Sequence, residues 1–180
     1  MNRQLRMMDL NKLVRASIFT ALAIGLGFSL IMVPNIELIT VIVFLAGLTL
    51  GVGWGVLVGG TAELIFSILN PFGSGLVFPP LLLSQVFSMI IIGVAGGILR
   101  PVFFKREFSR KNIAGLAIAG FILTFIFDSL TTLSYPFSVG FDWPQTIGIY
   151  ISGIGFTILH QLSNAIIFSI GVPRVVKHLA

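Results

Sequence analysis

The sequence predicts an all-α integral membrane protein with six transmembrane helices, and three observations carry that reading. Hydrophobic residues make up 56% of the 180 residues and charged residues only 9%, with a mean hydropathy of +1.06. A soluble domain of this size needs a far larger charged surface. Six apolar stretches approach the roughly 20 residues a helix needs to cross a bilayer. Finally, all 11 Lys and Arg fall outside the apolar stretches or, for Arg15, at the very start of one, and six crossings put every one of them on the same side. The chain reads as a single membrane domain, residues 1–180.

Each predicted span has its own justification. Span one, 13–32, follows Arg3, Arg6, Lys12 and Arg15 and ends before Pro34-Asn35. Its apolar run is long for a signal peptide and no small-x-small cleavage site precedes Pro34, so it is expected to stay as a span. Spans two and three, 36–52 and 54–70, share the tight joint Gly51-Val52-Gly53. Span four, 80–99, lies between Asn70-Pro71-Phe72-Gly73 and Arg100-Pro101. Arg100, Lys105, Arg106, Arg110 and Lys111 precede span five, 113–133. A connection from Tyr135-Pro136 through Pro144 leads to span six, 146–170, and Arg174 and Lys177 follow it. The positive-inside rule makes the basic side cytoplasmic, with both termini inside.

The net charge of +5 is therefore a topology signal. A nucleic-acid site would need these cations clustered on one surface, and none is expected. The absence of cysteine excludes disulfides, thiolate chemistry and cysteine-ligated metals. The run "GVGWGVLVGG", residues 51–60, lacks the Lys-Ser/Thr of a P-loop and reads as a helix joint. No ATPase motif, cofactor site or metal site is predicted, so active pumping would need energy from a partner.

The outer connections, 33–37, 70–80 and 134–145, hold Glu37 and Asp142 and no cation. Glu63 and Asp128 fall inside apolar spans. A carboxylate there costs about 2.5–3.5 kcal/mol on insertion scales and is a functional candidate by default. At about 100° per residue, Thr124, Asp128, Thr131 and Tyr135 share an arc of span five. Thr157, His160, Gln161 and Asn164 share one on span six, and Gly60, Glu63, Ser67 and Asn70 one on span three; Gln85 and Ser88 sit near the outer end of span four. Lipid cannot pair these groups, so the arcs must face each other. The bland alternative is that the hydroxyls bond the i−4 carbonyls and that His and Asn only glue helices together. Together the arcs predict an outward-opening pocket. Asp128, Tyr135, Asn70 and Gln85 are expected in its outer half, with Glu63 and His160 nearer the middle, Asn164 deeper and Thr131 beside Asp128. With no Lys or Arg in the pocket, its carboxylates must be neutral, pair with His160, or meet a ligand that supplies donors or positive charge.

On span one, small residues recur at four-residue spacing: Ala16 with Thr20, and Ser17 with Ala21. Such a face lets another helix approach closely, either within the chain or on a partner.

The chain also resembles a known family. "PNIELITVIVFLAGLTLG", "GGTAELIFSILNPFG", "PPLLLSQVFSMIIIGVAGG" and the Asp-containing fifth span are similar to the S-components of energy-coupling factor (ECF) vitamin transporters. The resemblance covers almost the whole chain. It implies an S-component-like bundle in a prokaryotic plasma membrane that captures a vitamin or its precursor from outside. It implies docking, through Ala16, Ser17, Thr20 and Ala21, on a transmembrane coupling subunit that carries two ATPase subunits. Neither four-residue pair has the Ala at both ends that the family uses. The resemblance also makes Pro34–Glu37 a lid, which brings Asn35 and Glu37 to the site. Among neutral or cationic vitamins, corrinoids rank first, ahead of thiamine-like, riboflavin-like and deazapurine compounds.

Two rival readings belong to other classes. A stand-alone carrier would use Glu63 and Asp128 as proton sites, although six spans without an evident repeat are few for one. An intramembrane hydrolase would pair Ser74 with His160, although Ser74 lies on an outer loop and His160 in mid-membrane.

The predicted orientation has a direct check. With cysteine at Ser109 or at Ser138, an impermeant maleimide applied to intact cells should label only the Ser138 site. Labelling at Ser109 would reverse the topology.

Overall fold

A computed structural model describes residues 3–105 and 107–180, with side chains from residue 10 onward. Arg106 and the side chains of Arg3 and Arg6, counted above among the inward-facing cations, lie outside the described residues. The helices are α1 (Arg3–Leu30), α2 (Ile39–Leu50), α3 (Val52–Ile68), α4 (Pro79–Ile98), α5 (Arg100–Phe103), α6 (Arg110–Val139), α7 (Trp143–Ser152) and α8 (Ile154–Leu179), with a single 3₁₀ turn at Gly75–Val77. Every regular element among the described residues is helical. Four helices are long and apolar enough to cross a membrane: α1 from Leu10, α4, α6 and α8. The α2 and α3 helices are apolar but shorter.

The centre of the bundle is α2. Eleven of its 12 residues are buried, and it touches α1, α3, α4 and α8. A helix that is apolar all round belongs in an interior. Twelve residues span about 18 Å, well short of the roughly 30 Å hydrocarbon layer. This helix can be short because protein, not lipid, surrounds it. Its preceding connection therefore has to descend into the bundle.

Glycine lets α2, α3 and α4 pack backbone to backbone. A methyl group on Gly93 of α4 would strike the Gly55 carbonyl of α3, one on Gly47 of α2 would strike the Gly93 carbonyl, and one on Gly96 would strike the Phe44 carbonyl. On the other side, Gly120 of α6 lies against the Asn164 carbonyl and the Phe168 ring of α8. These two seams bring the polar arcs of α6 and α8 up to the central helix.

Three helix ends differ from the sequence reading. The connection expected from Tyr135-Pro136 onward is helical as far as Val139, with Pro136 inside α6. The Ser134 and Ser138 hydroxyls bond the Thr131 and Ser134 carbonyls near it, and the carbonyl that loses its amide partner at Pro136 is that of Thr132. The helix stops at Gly140, whose φ of 77° is left-handed, and the Phe141 and Gly140 amides close on the Pro136 carbonyl. The stretch 146–170 is divided at Gly153 between α7 and α8. Asp142 caps α7 by accepting from the Gln145 backbone amide at 2.9 Å, which gives its carboxylate a structural role. The joint between α2 and α3 is the single residue Gly51, with φ 99°.

The glycine seam makes a prediction. Gly93→Ala should destabilise the protein by about 1–3 kcal/mol, the range for overpacking, when unfolding is followed in detergent against denaturant. Gly53→Ala, where an added methyl meets nothing within 4 Å, should stay within about 0.5 kcal/mol of the parent. Equal midpoints for both variants would show that the close crossing is absent.

Candidate functional site

The site starts at the buried end of α2. The first amides of a helix have no partner within it, and here they point into protein. The Thr40 amide donates to Glu37 Oε2 at 2.9 Å, and the carboxylate sits where the helix dipole favours negative charge. Glu37 is thus drawn inward from the connection that carries it. Its other oxygen, Oε1, accepts from Asn164 Nδ2 at 2.8 Å and lies 3.6 Å from His160 Nε2. His160 and Asn164 are one turn apart on α8, so they face the same way. On its far side, His160 Nδ1 is 2.8 Å from Asp128 Oδ1 of α6. An ionised carboxylate only accepts, so Nδ1 donates to Asp128. The imidazole therefore bridges Glu37 and Asp128, and its tautomer is set by that bond.

Not every polar atom here is satisfied. Among the described residues, Thr40 Oγ1, Thr124 Oγ1, Asp128 Oδ2, His160 Nε2 and Asn164 Oδ1 are buried without a hydrogen-bond partner. Each belongs to the cluster or to its helical neighbours. A buried unpaired polar atom costs about 1–3 kcal/mol, so five together mark a place suited to a guest with donors and acceptors of its own.

A second part of the site lies toward the end of the bundle expected to face outward. Glu63 is buried on α3 and accepts from Ser67 Oγ at 2.8 Å. Ser67 also lines a cavity of about 300 Å³ with Asn70, Ser74, Phe78 and Gln85. Tyr135 stands at its edge: its ring meets Phe78 at 5.9 Å and Phe141 at 5.6 Å, edge to face.

Sequence-predicted residues fall into three groups. Glu37, Asp128, His160 and Asn164 are joined directly. Glu63, Asn70 and Gln85 belong to the outward part, with Tyr135 half exposed beside it. Thr131 and Asn35 take local roles: the Thr131 hydroxyl bonds the Phe127 carbonyl, and Asn35 makes the left-handed turn at φ 58° that swings the connection toward Glu37. Asp128 and His160 share one depth, because they are bonded to each other, whereas the sequence put them at different levels. Thr40 was missed because it looked like one more polar residue in an apolar run. The signal was Glu37 three residues earlier, poised to reach the helix end.

The face Ala16, Ser17, Thr20 and Ala21 lines a groove with Trp54, Leu57 and Thr61 of α3. Ala16 is buried, while Ser17 and Ala21 are exposed. Ser74 accepts from the Leu76 amide, and the contacts of His160 run to Asp128 and Glu37; this is no Ser–His pair.

Long apolar helices around a partly buried cluster of carboxylates, imidazole and amide define a multi-pass membrane protein with a polar cluster between its helices. The chain matches the family "ECF transporter, substrate-specific component" over residues 11–179, and it belongs to that family. Members bind small substrates as membrane subunits and work with an ECF coupling module and ATPases. No curated protein and no solved structure matches the chain.

Removing one partner of a largely buried hydrogen-bonded pair leaves the other unsatisfied, at a cost of about 1–3 kcal/mol. His160→Ala should therefore cost about 1–3 kcal/mol in detergent unfolding, and Asp128→Asn about half as much, since the amide oxygen can still accept from Nδ1. Additive costs in the double variant would show that the two side chains do not touch.

Proposed function

We propose that this chain is the capture subunit of an ECF importer, and that the cluster of Glu37, Asp128, His160 and Asn164 holds the substrate. The observation that carries the proposal is the set of unpaired buried atoms on these helices, in a chain of a substrate-binding family. Six crossings with both termini in the cytoplasm make the pocket open outward. The ligand enters past Tyr135, Asn70 and Gln85, moves inward past Glu63, and is held under the Pro34–Glu37 connection. Ala16, Ser17, Thr20 and Ala21 then dock on the transmembrane coupling subunit, whose two ATPases supply the energy, in a prokaryotic plasma membrane.

The chemistry narrows the ligand. Two carboxylates and an amide oxygen, with no Lys or Arg beside them, favour a neutral or cationic molecule rich in N–H or O–H donors. Corrinoids and thiamine-like, riboflavin-like and deazapurine compounds all meet that description. The cavity of about 300 Å³ on the path past Glu63 is small for a ligand pocket, so a corrinoid, the largest of these, requires the outer connections to open on its way in. The row Glu37–His160–Asp128 also favours a second reading, a proton-coupled carrier. Uptake by this chain alone in liposomes, driven by a pH gradient without ATP, would select it.

Native mass spectrometry of protein purified from its membrane identifies any retained small molecule, and calorimetry then measures its affinity. A hydrogen bond to a charged group contributes about 1.5–3 kcal/mol, so Asp128→Ala should weaken binding roughly 10- to 150-fold at about 1.4 kcal/mol per decade. Asp128→Asn should retain much of the affinity for a neutral donor and little for a cation. Unchanged affinity in a folded Asp128→Ala protein would remove Asp128 from the site.

A further inference from the structure

The basic end of the molecule carries a groove that the substrate site does not use. Its walls are Ile18 and Leu22 of α1, Leu50 at the end of α2, Phe104 after α5, and Leu179 at the end of α8; its volume is about 330 Å³. Ile18, Leu22 and Leu179 are exposed. One guanidinium lines this groove, that of Arg15; a second, that of Arg100, lies over the ring of the groove residue Phe104, 5.0 Å from its centroid. Both arginines are exposed, and neither forms a salt bridge among the described residues.

This is a different face of α1 from the small-residue face. At about 100° per residue, Ile18, Phe19 and Leu22 point away from Ala16, Ser17, Thr20 and Ala21, which line a separate groove with α3. An occupant of one need not block the other.

We propose that this groove binds one anionic phospholipid of the cytoplasmic leaflet, with an acyl chain along Ile18, Leu22 and Leu50 and its phosphate between Arg15 and Arg100. Charge complementarity selects this occupant. The walls are apolar, the two cations at the mouth lack carboxylate partners, and arginine binds phosphate through a fixed fork of donors. The end that carries the cations faces the cytoplasm by the positive-inside rule, where anionic lipids reside. A soluble anion fits the arginines but leaves the apolar walls unused. A zwitterionic lipid fits the walls but brings its own cation to the arginines.

The test uses the intact protein in mild detergent, incubated with equal amounts of phosphatidylglycerol and phosphatidylcholine of identical acyl chains, with retained lipid read by native mass spectrometry. Phosphatidylglycerol should be retained at least about fivefold over phosphatidylcholine, given the attraction expected per cation near a surface. Arg15→Gln combined with Arg100→Gln should bring the two to parity. Leu22→Trp, which fills the groove, should reduce both. Excess inorganic phosphate should displace neither. Parity in the parent protein, unchanged preference in the double variant, or unchanged retention in Leu22→Trp would each overturn the proposal. Displacement by phosphate would overturn the lipid in favour of a soluble anion. Both arginines are exposed, so the Gln variants should fold, and a single sharp elution peak checks that they do.

Discussion

The structure depends on how the N-terminus of α2 is satisfied. This helix is buried nearly all round, so its first amides cannot reach water. One carboxylate, Glu37, meets that need from the connection before it. An inward-drawn carboxylate then needs a donor of its own, and Asn164 on α8 supplies one, with His160 Nε2 3.6 Å away. The other ring nitrogen of His160 meets Asp128 on α6. Each contact offsets part of the cost of burying these groups. The result ties the first connection to the α2 backbone and, through side chains, to α8 and α6.

That chain of obligations bears on function. On the proposed reading, in which the connection that supplies Glu37 is a lid, a ligand that competes for Asn164 changes what holds it down. Binding and closure then draw on the same few bonds. The helices themselves have little freedom to answer, because the glycine seams at Gly47, Gly55 and Gly93 and at Gly120 leave no slack between backbones. The α7 helix packs on α6 and, lightly, on α8; among the described residues a hydrogen bond, Ser129 to Tyr150, and an edge-to-face ring contact, Phe137 to Trp143, tie it to α6.

Much of this was legible in the sequence, and for physical reasons. Hydropathy marks α1, α4, α6 and α8 because lipid demands long apolar helices. Polar arcs at helical spacing marked Asp128, His160 and Asn164, since unpaired groups cannot face lipid. Depth was less legible. A charge count placed Glu37 on an outer connection, and nothing in the local sequence says that α2 is short enough to pull that connection inside. Pro136 and Tyr135 read as a loop because proline usually ends a helix; here the helix runs on to Val139 and stops only at the left-handed Gly140. The Gly153 break was hidden because apolar residues on both sides continue the hydropathy of one span.

The imidazole bridge is the centre of the account, and the chain has only two histidines, His160 and His178. With His178→Gln, nitrogen-15 spectra of histidine-labelled protein report His160 alone. The account predicts that Asp128→Asn shifts the Nδ1 resonance and that Glu37→Gln shifts Nε2, each leaving the other nitrogen less affected. Ring resonances that match those of a solvent-exposed histidine, and that stay put in both variants, would contradict it.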